Sequence, residues 1–203
     1  MNAGEEQLLQ LNQGDRVDVG IQTFGVGLGW DVEIGVSQYE HDLDAWAFLL
    51  GPGGQVPDEN YVVFFNNHTS PDGAVVITPD HRLGRAPKPA GVMAPCEIIT
   101  VDLGRLDDVV TEIVFAVGIY KAGERKQNFG QVRDSFIRIH DAEKDMEICR
   151  YELHEDFSVE TALEFGRLYK TGDSWQFEAL GIPIEGGMLT AVKKYARNHD
   201  PTT

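Results

Sequence analysis

Acidic residues recur at two points early in the chain, at Asp31 and in the sequence Asp42-Leu43-Asp44. Side chains two residues apart point to the same face of a β-strand, so Asp42 and Asp44 are predicted to place both carboxylates on one face where a strand begins. Two neighbouring carboxylates repel each other unless a proton or a cation neutralises them. The spacing is therefore compatible with a bound cation.

An oxygen-rich loop follows the apolar run that ends at Phe65. It reads Asn66-Asn67-His68-Thr69-Ser70-Pro71-Asp72-Gly73, and Pro79-Asp80-His81 comes shortly after it. Ca²⁺ takes about six to eight oxygen ligands from carboxylates, amide and backbone carbonyls and water. Asp and Asn on loops are suited to this chemistry, so a calcium site built from several segments is one interpretation.

The spacing differs from that of an EF-hand. Trp46 stands where a third ligand would follow Asp42 and Asp44, and Ala47 stands where the glycine would be. The alternative interpretation is that the acids are solvated and that the loop is a turn held by side-chain hydrogen bonds of Asn and Asp. On spacing alone, this alternative is favoured over a metal site.

The elements that would position these residues are predicted to be mainly β-strands. Apolar residues alternate or run in short blocks bounded by Gly, Pro, Asn and Asp, which favours a two-sheet sandwich. The predicted strands are Arg16 to Gln22, Val26 to Val32, Leu43 to Leu50, Tyr61 to Phe65, Ala74 to Ile77, Glu97 to Leu103, Glu112 to Tyr120, Ser135 to His140 and Glu147 to Leu153.

The segment from Thr161 to Leu180 fits either a helix or two strands. The turn-forming sequence Lys170-Thr171-Gly172-Asp173-Ser174 between two aromatic runs favours a β-hairpin. Apolar residues at helical spacing from Met188 predict a short C-terminal helix that closes the domain. The proline-rich segment Gly84 to Pro95 is predicted to be a loop. The chain is thus read as a single domain over residues 1–203, with tightly joined halves at about 15–83 and about 96–197.

The composition excludes several classes of function. The chain has 33 acidic and 17 basic residues and a formal net charge of -16, so a nucleic-acid backbone would be repelled. Cys96 and Cys149 show no C-x-x-C spacing and are predicted to be free thiols. The N-terminus lacks the pattern of a signal peptide, and no segment is long and apolar enough for a membrane span. A soluble, cytoplasmic protein is expected, which would reach a membrane only through a partner.

Several segments together resemble the TerD family of tellurite-resistance and general stress proteins. They are GLGWD at 27–31, DLDAWAFLL at 42–50, FFNNHTSPDGAV at 64–75, QNFGQVRDSFIRIHD at 127–141 and EDFSVETALEFGRLYK at 155–170. They occur in the family's order and extend over most of the chain. The resemblance implies a β-sandwich of two related halves, with Ca²⁺ held between loops of the first half.

The resemblance also implies a set of metal ligands or close supports. Carried over residue by residue, they are Asp31, Asp42, Asp44, Asn66, Asn67, Ser70, Asp72 and Asp80. Family members commonly have serine at the position of Trp46. They have a long acidic loop where this chain has a proline-rich segment carrying Arg82, Arg85 and Lys88. We therefore expect fewer calcium ligands here than in related proteins.

The resulting hypothesis is a non-enzymatic, calcium-binding stress-response protein that acts as a metal-ordered interaction scaffold. Its expected partners are calcium ions and other stress-resistance proteins, with a membrane-associated complex among the candidates. A metal-dependent hydrolase with His68 or His81 as base is an alternative, although the sequence has no nucleophile elbow, H-E-x-x-H or phosphate loop. A small-ligand or cyclic-nucleotide-binding module is a further alternative.

Overall fold

The computed structural model describes residues 8–32, 42–78, 97–141, 143–144, 146–153, 157 and 159–196. Their strands form two six-stranded sheets packed face to face, so the predicted β-sandwich is confirmed. In chain order the strands are β1 (Leu9–Leu11), β2 (Arg16–Asp18), β3 (Thr23–Val32), β4 (Leu43–Leu50), β5 (Val62–Val63), β6 (Val75–Ile77), β7 (Glu97–Asp102), β8 (Glu112–Ile119), β9 (Val132–Asp141), β10 (Met146–Glu152), β11 (Ala162–Thr171) and β12 (Ser174–Pro183).

The spatial order of the first sheet is β1-β10-β9-β3-β7-β6, and that of the second is β2-β12-β11-β8-β4-β5. All neighbours are antiparallel except β1 and β10, which run parallel. Each sheet takes strands from both predicted halves of the chain. The interior strands have six to ten residues, whereas the four edge strands, β1, β6, β2 and β5, have two or three.

The core lies between the sheets and follows from the alternation along each strand. In β4, Leu43, Ala45 and Ala47 are buried between the sheets, while Asp44 and Trp46 are half-buried and face outward. Phe24 and Phe115 are fully buried. The two inward faces therefore exclude water from one continuous apolar layer, which is the main source of stability.

The predicted C-terminal helix is confirmed as α2 (Met188–Tyr195), which packs on the outer face of the second sheet. The Tyr195 ring lies 4.8 Å from that of Phe48, and its hydroxyl donates a hydrogen bond of 2.6 Å to the buried carboxylate of Glu164. Lys194 donates to the same oxygen at 2.6 Å. Burial and the bond to Glu164 raise the pKa of Tyr195. No helix in the described ranges is long and apolar enough to cross a membrane.

Most predicted strands are present, and β4 has the predicted bounds. The hairpin of β11 and β12 is also confirmed. The predicted strand from Arg16 to Gln22 is shorter, because Gly20 adopts a left-handed conformation with φ of 64° just after β2. The predicted strand from Tyr61 to Phe65 contracts to β5, because Asp58 caps a 3-10 turn over Glu59–Tyr61 by accepting from the Asn60 amide.

Besides the 3-10 turn at Glu59–Tyr61, three further elements are additions to the predicted set. These are β1, the 3-10 turn Phe129–Gln131 and the four-residue helix α1 (Ala122–Arg125). The segment from Gly84 to Pro95 lies outside the described residues.

Alternate glycines on the outer face of β3 allow a neighbouring aromatic ring to pack against the backbone. A Cβ atom at Gly29 would lie 2.3 Å from two atoms of the Phe136 ring, which is closer than real contacts allow. Arg150 covers the ring, with its guanidinium 4.1 Å from the ring centroid. Close packing against Phe136 therefore leaves no room for a side chain at Gly29.

We expect Gly29→Ala to destabilise the fold by about 1–3 kcal/mol, because the Phe136 ring must move or the strand must shift. Urea denaturation measures the change. Gly123→Ala is the matched control, since a Cβ there meets no atom within 4 Å and the residue lies in α1. Equal stability of the two variants would contradict the packing role of Gly29.

Candidate metal centre

Several strand ends that carry candidate groups meet at one end of the sandwich, which we call the Asp42 end. The amide of Tyr120, just after β8, donates a hydrogen bond of 2.7 Å to the carbonyl of Asp42, just before β4. Glu97 begins β7 and pairs with Leu28 of β3. Asp31 follows Leu28 in β3, so it lies beyond Glu97 at this end of the sheet. The Asp42 end therefore contains Asp31, Asp42, Glu97 and Tyr120.

The Asp42 side chain is paired with a cation from the following helix. Its Oδ2 lies 3.6 Å from Nη1 of Arg125, and 42% of the side chain is exposed. The backbone bond to Tyr120 holds Asp42 beside the segment that carries Arg125. The carboxylate is thus accessible to solvent and already has a positive counter-charge.

Asp44 is positioned by a buried carboxylate from the opposite sheet. Asp44 pairs with Gly118 in β8, and the amide of the next residue, Ala45, donates a hydrogen bond of 2.5 Å to Oε2 of Glu97. Glu97 is only 5% exposed, and its bond joins β7 to β4 across the sandwich. It satisfies a buried N–H group that would otherwise be costly.

The sequence predicts Glu97 only as the first residue of a strand, and the structure adds a buried hydrogen bond between the sheets. A signal for this role was present in the alternation of β7. Glu97 alternates in step with Ile99 and Val101, so it points to the same face of β7 as these two fully buried residues. A carboxylate at an inward position needs a hydrogen-bond donor.

Asp31 pairs with Arg133 of β9 through the backbone, and its side chain lies outside what the structure describes. Asp80 is also outside the described residues. Thr78, the last described residue before it, bonds through its amide to the carbonyl of Ile98 at 3.0 Å, near the start of β7. Among the described residues, no three His, Cys, Asp or Glu side chains are grouped closely enough to hold a metal ion.

The amides of the oxygen-rich loop have separate roles. Asn66 is exposed and follows Phe65, whose ring lies 6.5 Å from that of Tyr120, so it is close to the Asp42 end. The side-chain nitrogen of Asn67 donates to the carbonyls of Asn60 and Val62 at 3.0 and 2.8 Å, which fastens the loop to the segment before it.

Ser70 and Asp72 lie at the opposite end of the sandwich. The Asp72 carboxylate accepts from the Ser70 hydroxyl at 2.5 Å, from the Ala74 amide at 2.9 Å and from the Asp107 amide at 2.8 Å. Asp107 lies before the first residue of β8, whereas Asp42 is hydrogen-bonded to Tyr120, directly after the last residue of β8. The 8 residues of β8 span about 25 Å. The structure therefore does not bring Ser70 and Asp72 together with Asp42 and Asp44.

The hydrogen bonds at Asp72 determine its ionisation. Burial opposes ionisation of this carboxyl, but the bonds from Ser70, Ala74 and Asp107 outweigh it and lower the pKa of Asp72. The hydroxyl of Tyr61 donates to Asp107 at 2.5 Å, and this bond, with burial and nearby carboxylates, raises the pKa of Tyr61 to about 12. This network joins the oxygen-rich loop to the segment that leads into β8.

Backbone strain is concentrated at the Asp42 end. In the described part of the chain, the non-glycine residues with positive φ are Lys121 (52°), Lys126 (53°) and Asp134 (51°). The lysines flank α1, and Asp134 follows Arg133, the backbone partner of Asp31. Each such conformation costs about 1 kcal/mol and persists only where the surrounding structure enforces it, often at functional sites.

Aromatic rings extend from the outer face of the second sheet to the Asp42 end. Trp46 stacks on Phe64 with centroids 4.4 Å apart, and Phe65 contacts both rings edge to face. Phe65 and Tyr120 are 41% and 40% exposed. The tryptophan that departs from the family pattern therefore belongs to an aromatic cluster whose outer members face solvent.

The fold is a mainly antiparallel β-sandwich, and Asp31, Asp42, Glu97 and the strained Lys121–Lys126 turn lie at one end of it. The model of the TerD domain family matches residues 8–195, and the chain belongs to that family.

Its relatives include proteins named for resistance and stress. The Tellurium resistance protein TerD of Serratia marcescens is 39% identical over 173 residues, which cover 85% of this chain and 86% of that protein. General stress protein 16U of Bacillus subtilis is 35% identical over 192 residues, which cover 92% of this chain and 96% of that protein.

A solved structure described as a homologue of telluride resistance protein (TerD) from Streptomyces coelicolor shares the fold. Its TM-score is 0.62 at 19% identity, with 88% of this chain and 100% of that chain covered.

We expect Asp72→Asn to lower stability by about 1–2 kcal/mol at neutral pH, because an amide cannot replace a carboxylate that accepts three hydrogen bonds. Chemical denaturation measures this, with Asp108→Asn, an exposed neighbour, as the control.

The contribution of Asp72 should depend on pH in a defined direction. Because the folded pKa of Asp72 is lowered from 3.8, its contribution is present above that value and disappears as the pH falls through the folded pKa. A wild-type advantage that persists under strongly acidic conditions would exclude this account.

Proposed function

We propose that this chain is a calcium-binding protein of tellurium and general stress resistance and that it has no catalytic role. One observation carries the metal proposal: Asp42, with a partly accessible carboxylate, lies at the same strand end as Asp44 and has a guanidinium as its counter-cation. The family relatives named for tellurium resistance and general stress support the cellular role.

The donor chemistry at the Asp42 end fits a hard cation. The available groups are carboxylate, amide and backbone oxygens, which Ca²⁺ prefers, and the described cysteine, Cys149, is buried in β10. We propose Asp42 and Asp44 as ligands, with Asp31 from the neighbouring sheet. Bound Ca²⁺ would neutralise the repulsion between these carboxylates.

The other predicted ligands remain predictions. Asn66, Asn67 and Asp80 are retained as candidates for the same end of the sandwich. The carboxylate of Asp72 is the least suited, because its two oxygens already accept three hydrogen bonds that hold its own loop. We propose that Ser70 and Asp72 support the loop.

The exposed rings of Phe65 and Tyr120 support the scaffold part of the proposal. They lie beside the proposed metal ligands, and exposed aromatic residues are favoured anchors in protein interfaces. We propose other stress-resistance proteins as partners, including a membrane-associated complex, and we propose a cytoplasmic location. The net charge of -16 argues against nucleic acid as a partner.

Calcium should raise the thermal stability of EDTA-treated protein. At about 100 times the dissociation constant, a ligand that binds only the folded state adds about 2.7 kcal/mol. Asp42→Asn and Asp44→Asn should each weaken binding in calorimetric titration, whereas Asp108→Asn should not. An unchanged melting transition together with a silent titration of the wild-type protein would disprove calcium binding.

The proposed resistance role is tested by survival of tellurite-treated cells that lack the endogenous protein. Expression of the wild-type chain should restore growth, and Asp42→Asn at equal expression should restore less, because metal binding is weakened. Full rescue by a variant that no longer binds calcium in vitro would separate resistance from the metal.

A further inference from the structure

Arg125 is held in a position where it and a metal ion would require the same carboxylate. Its Nη1 lies 3.6 Å from Oδ2 of Asp42, and only 23% of the Arg125 side chain is exposed. Asp42 cannot move away freely, since its carbonyl accepts the Tyr120 amide at 2.7 Å. The pairing of β4 with β8 therefore holds the two members of the ion pair close together.

The segment that carries Arg125 is a single strained turn. Lys121 and Lys126, at its two ends, have left-handed φ values of 52° and 53°. Within it, the Arg125 amide donates to the Lys121 carbonyl at 3.0 Å and the Gln127 amide to the Ala122 carbonyl at 2.9 Å. A turn with two strained ends is stable only while its surroundings hold it, and the ion pair with Asp42 is one such restraint.

We propose that Arg125 is an internal competitor for calcium: metal binding at Asp42 displaces its guanidinium and releases the Lys121–Lys126 turn. This inference rests on the proposed calcium function and adds its regulation. A divalent cation at Oδ2 would stand next to the guanidinium, and the two positive charges repel each other while they share one carboxylate. Occupation of Asp42 by one therefore disfavours the other.

Release of the turn would alter the exposed aromatic surface. The Arg125 guanidinium lies 5.2 Å from the Tyr120 ring centroid, and Nζ of Lys121 lies 5.6 Å from it. The Phe65 ring contacts the Tyr120 ring edge to face, with the two centroids 6.5 Å apart. Withdrawal of Arg125 exposes more of Tyr120 beside Phe65, so the competition couples metal occupancy to a surface suited to a protein partner.

The decisive comparison is between Arg125→Gln and Lys121→Gln. Each removes one positive charge from the same turn, but Lys121 pairs with Glu124 at 3.6 Å, whereas Arg125 pairs with Asp42. Calorimetric Ca²⁺ titration at about 0.15 M salt limits general charge effects to about 8 Å. Arg125→Gln should bind Ca²⁺ about two- to fivefold more tightly than wild type, the range expected for a partly exposed ion pair, and Lys121→Gln should change less.

The outcomes separate this inference from the calcium proposal. Equal affinity of the two variants, with calcium binding by the wild type, overturns the competition alone. Silent titrations of wild type and both variants overturn both proposals.

Hydrogen exchange of the wild-type protein supplies a second readout. Saturating Ca²⁺ should accelerate exchange at the amides of Arg125 and Gln127, whose bonds close the turn. Slower or unchanged exchange there, with calcium bound, contradicts release of the turn.

Discussion

The antiparallel pairing of β4 with β8 determines where the candidate groups lie. All eight residues of β4 pair with β8, from Leu43 opposite Ile119 to Leu50 opposite Glu112. This register fixes Asp42 beside Tyr120 and hence beside α1. It also fixes which end of the sandwich receives the segment around Asp107, and so it separates the two groups of predicted ligands by the length of a strand.

A second constraint acts across the core. The bond from the Ala45 amide to Glu97 joins the sheets close to Asp44, so the proposed ligand stands on a backbone that is restrained from two directions. At the far end, the three bonds to Asp72 restrain the oxygen-rich loop in a similar manner. The carboxylates of Glu97 and Asp72 both accept hydrogen bonds from backbone N–H groups. Such groups need a partner when they are buried.

The elements of the fold were largely predictable from local sequence. Alternation located β4 with its bounds, and the turn at Gly172 located the hairpin of β11 and β12. The three residues of β1 carry too little periodicity to be recognised, and their place follows from parallel pairing with a distant strand, β10. Local patterns specify faces and turns, whereas partners distant in sequence depend on packing.

The candidate site was predictable only in part for the same reason. The sequence predicts that Asp42 and Asp44 share one face where a strand begins, and the structure shows that Asp44 faces outward with Trp46. The separation of Asp72 from Asp42 depends on the connection through Asp107, which no spacing within either segment reveals. The ion pair between Arg125 and Asp42 likewise joins residues far apart in sequence. It could be recognised only once the register of β4 against β8 was known.

The shortness of the edge strands has a consequence for the crowded and damaged proteome of a stressed cell. β1, β6, β2 and β5 have three, three, three and two residues, so each described sheet edge offers few N–H and C=O groups to a foreign strand. Long flat edges recruit strands from misfolded chains and initiate aggregates. A sandwich with such brief edge strands is a poor template for pairing with those chains.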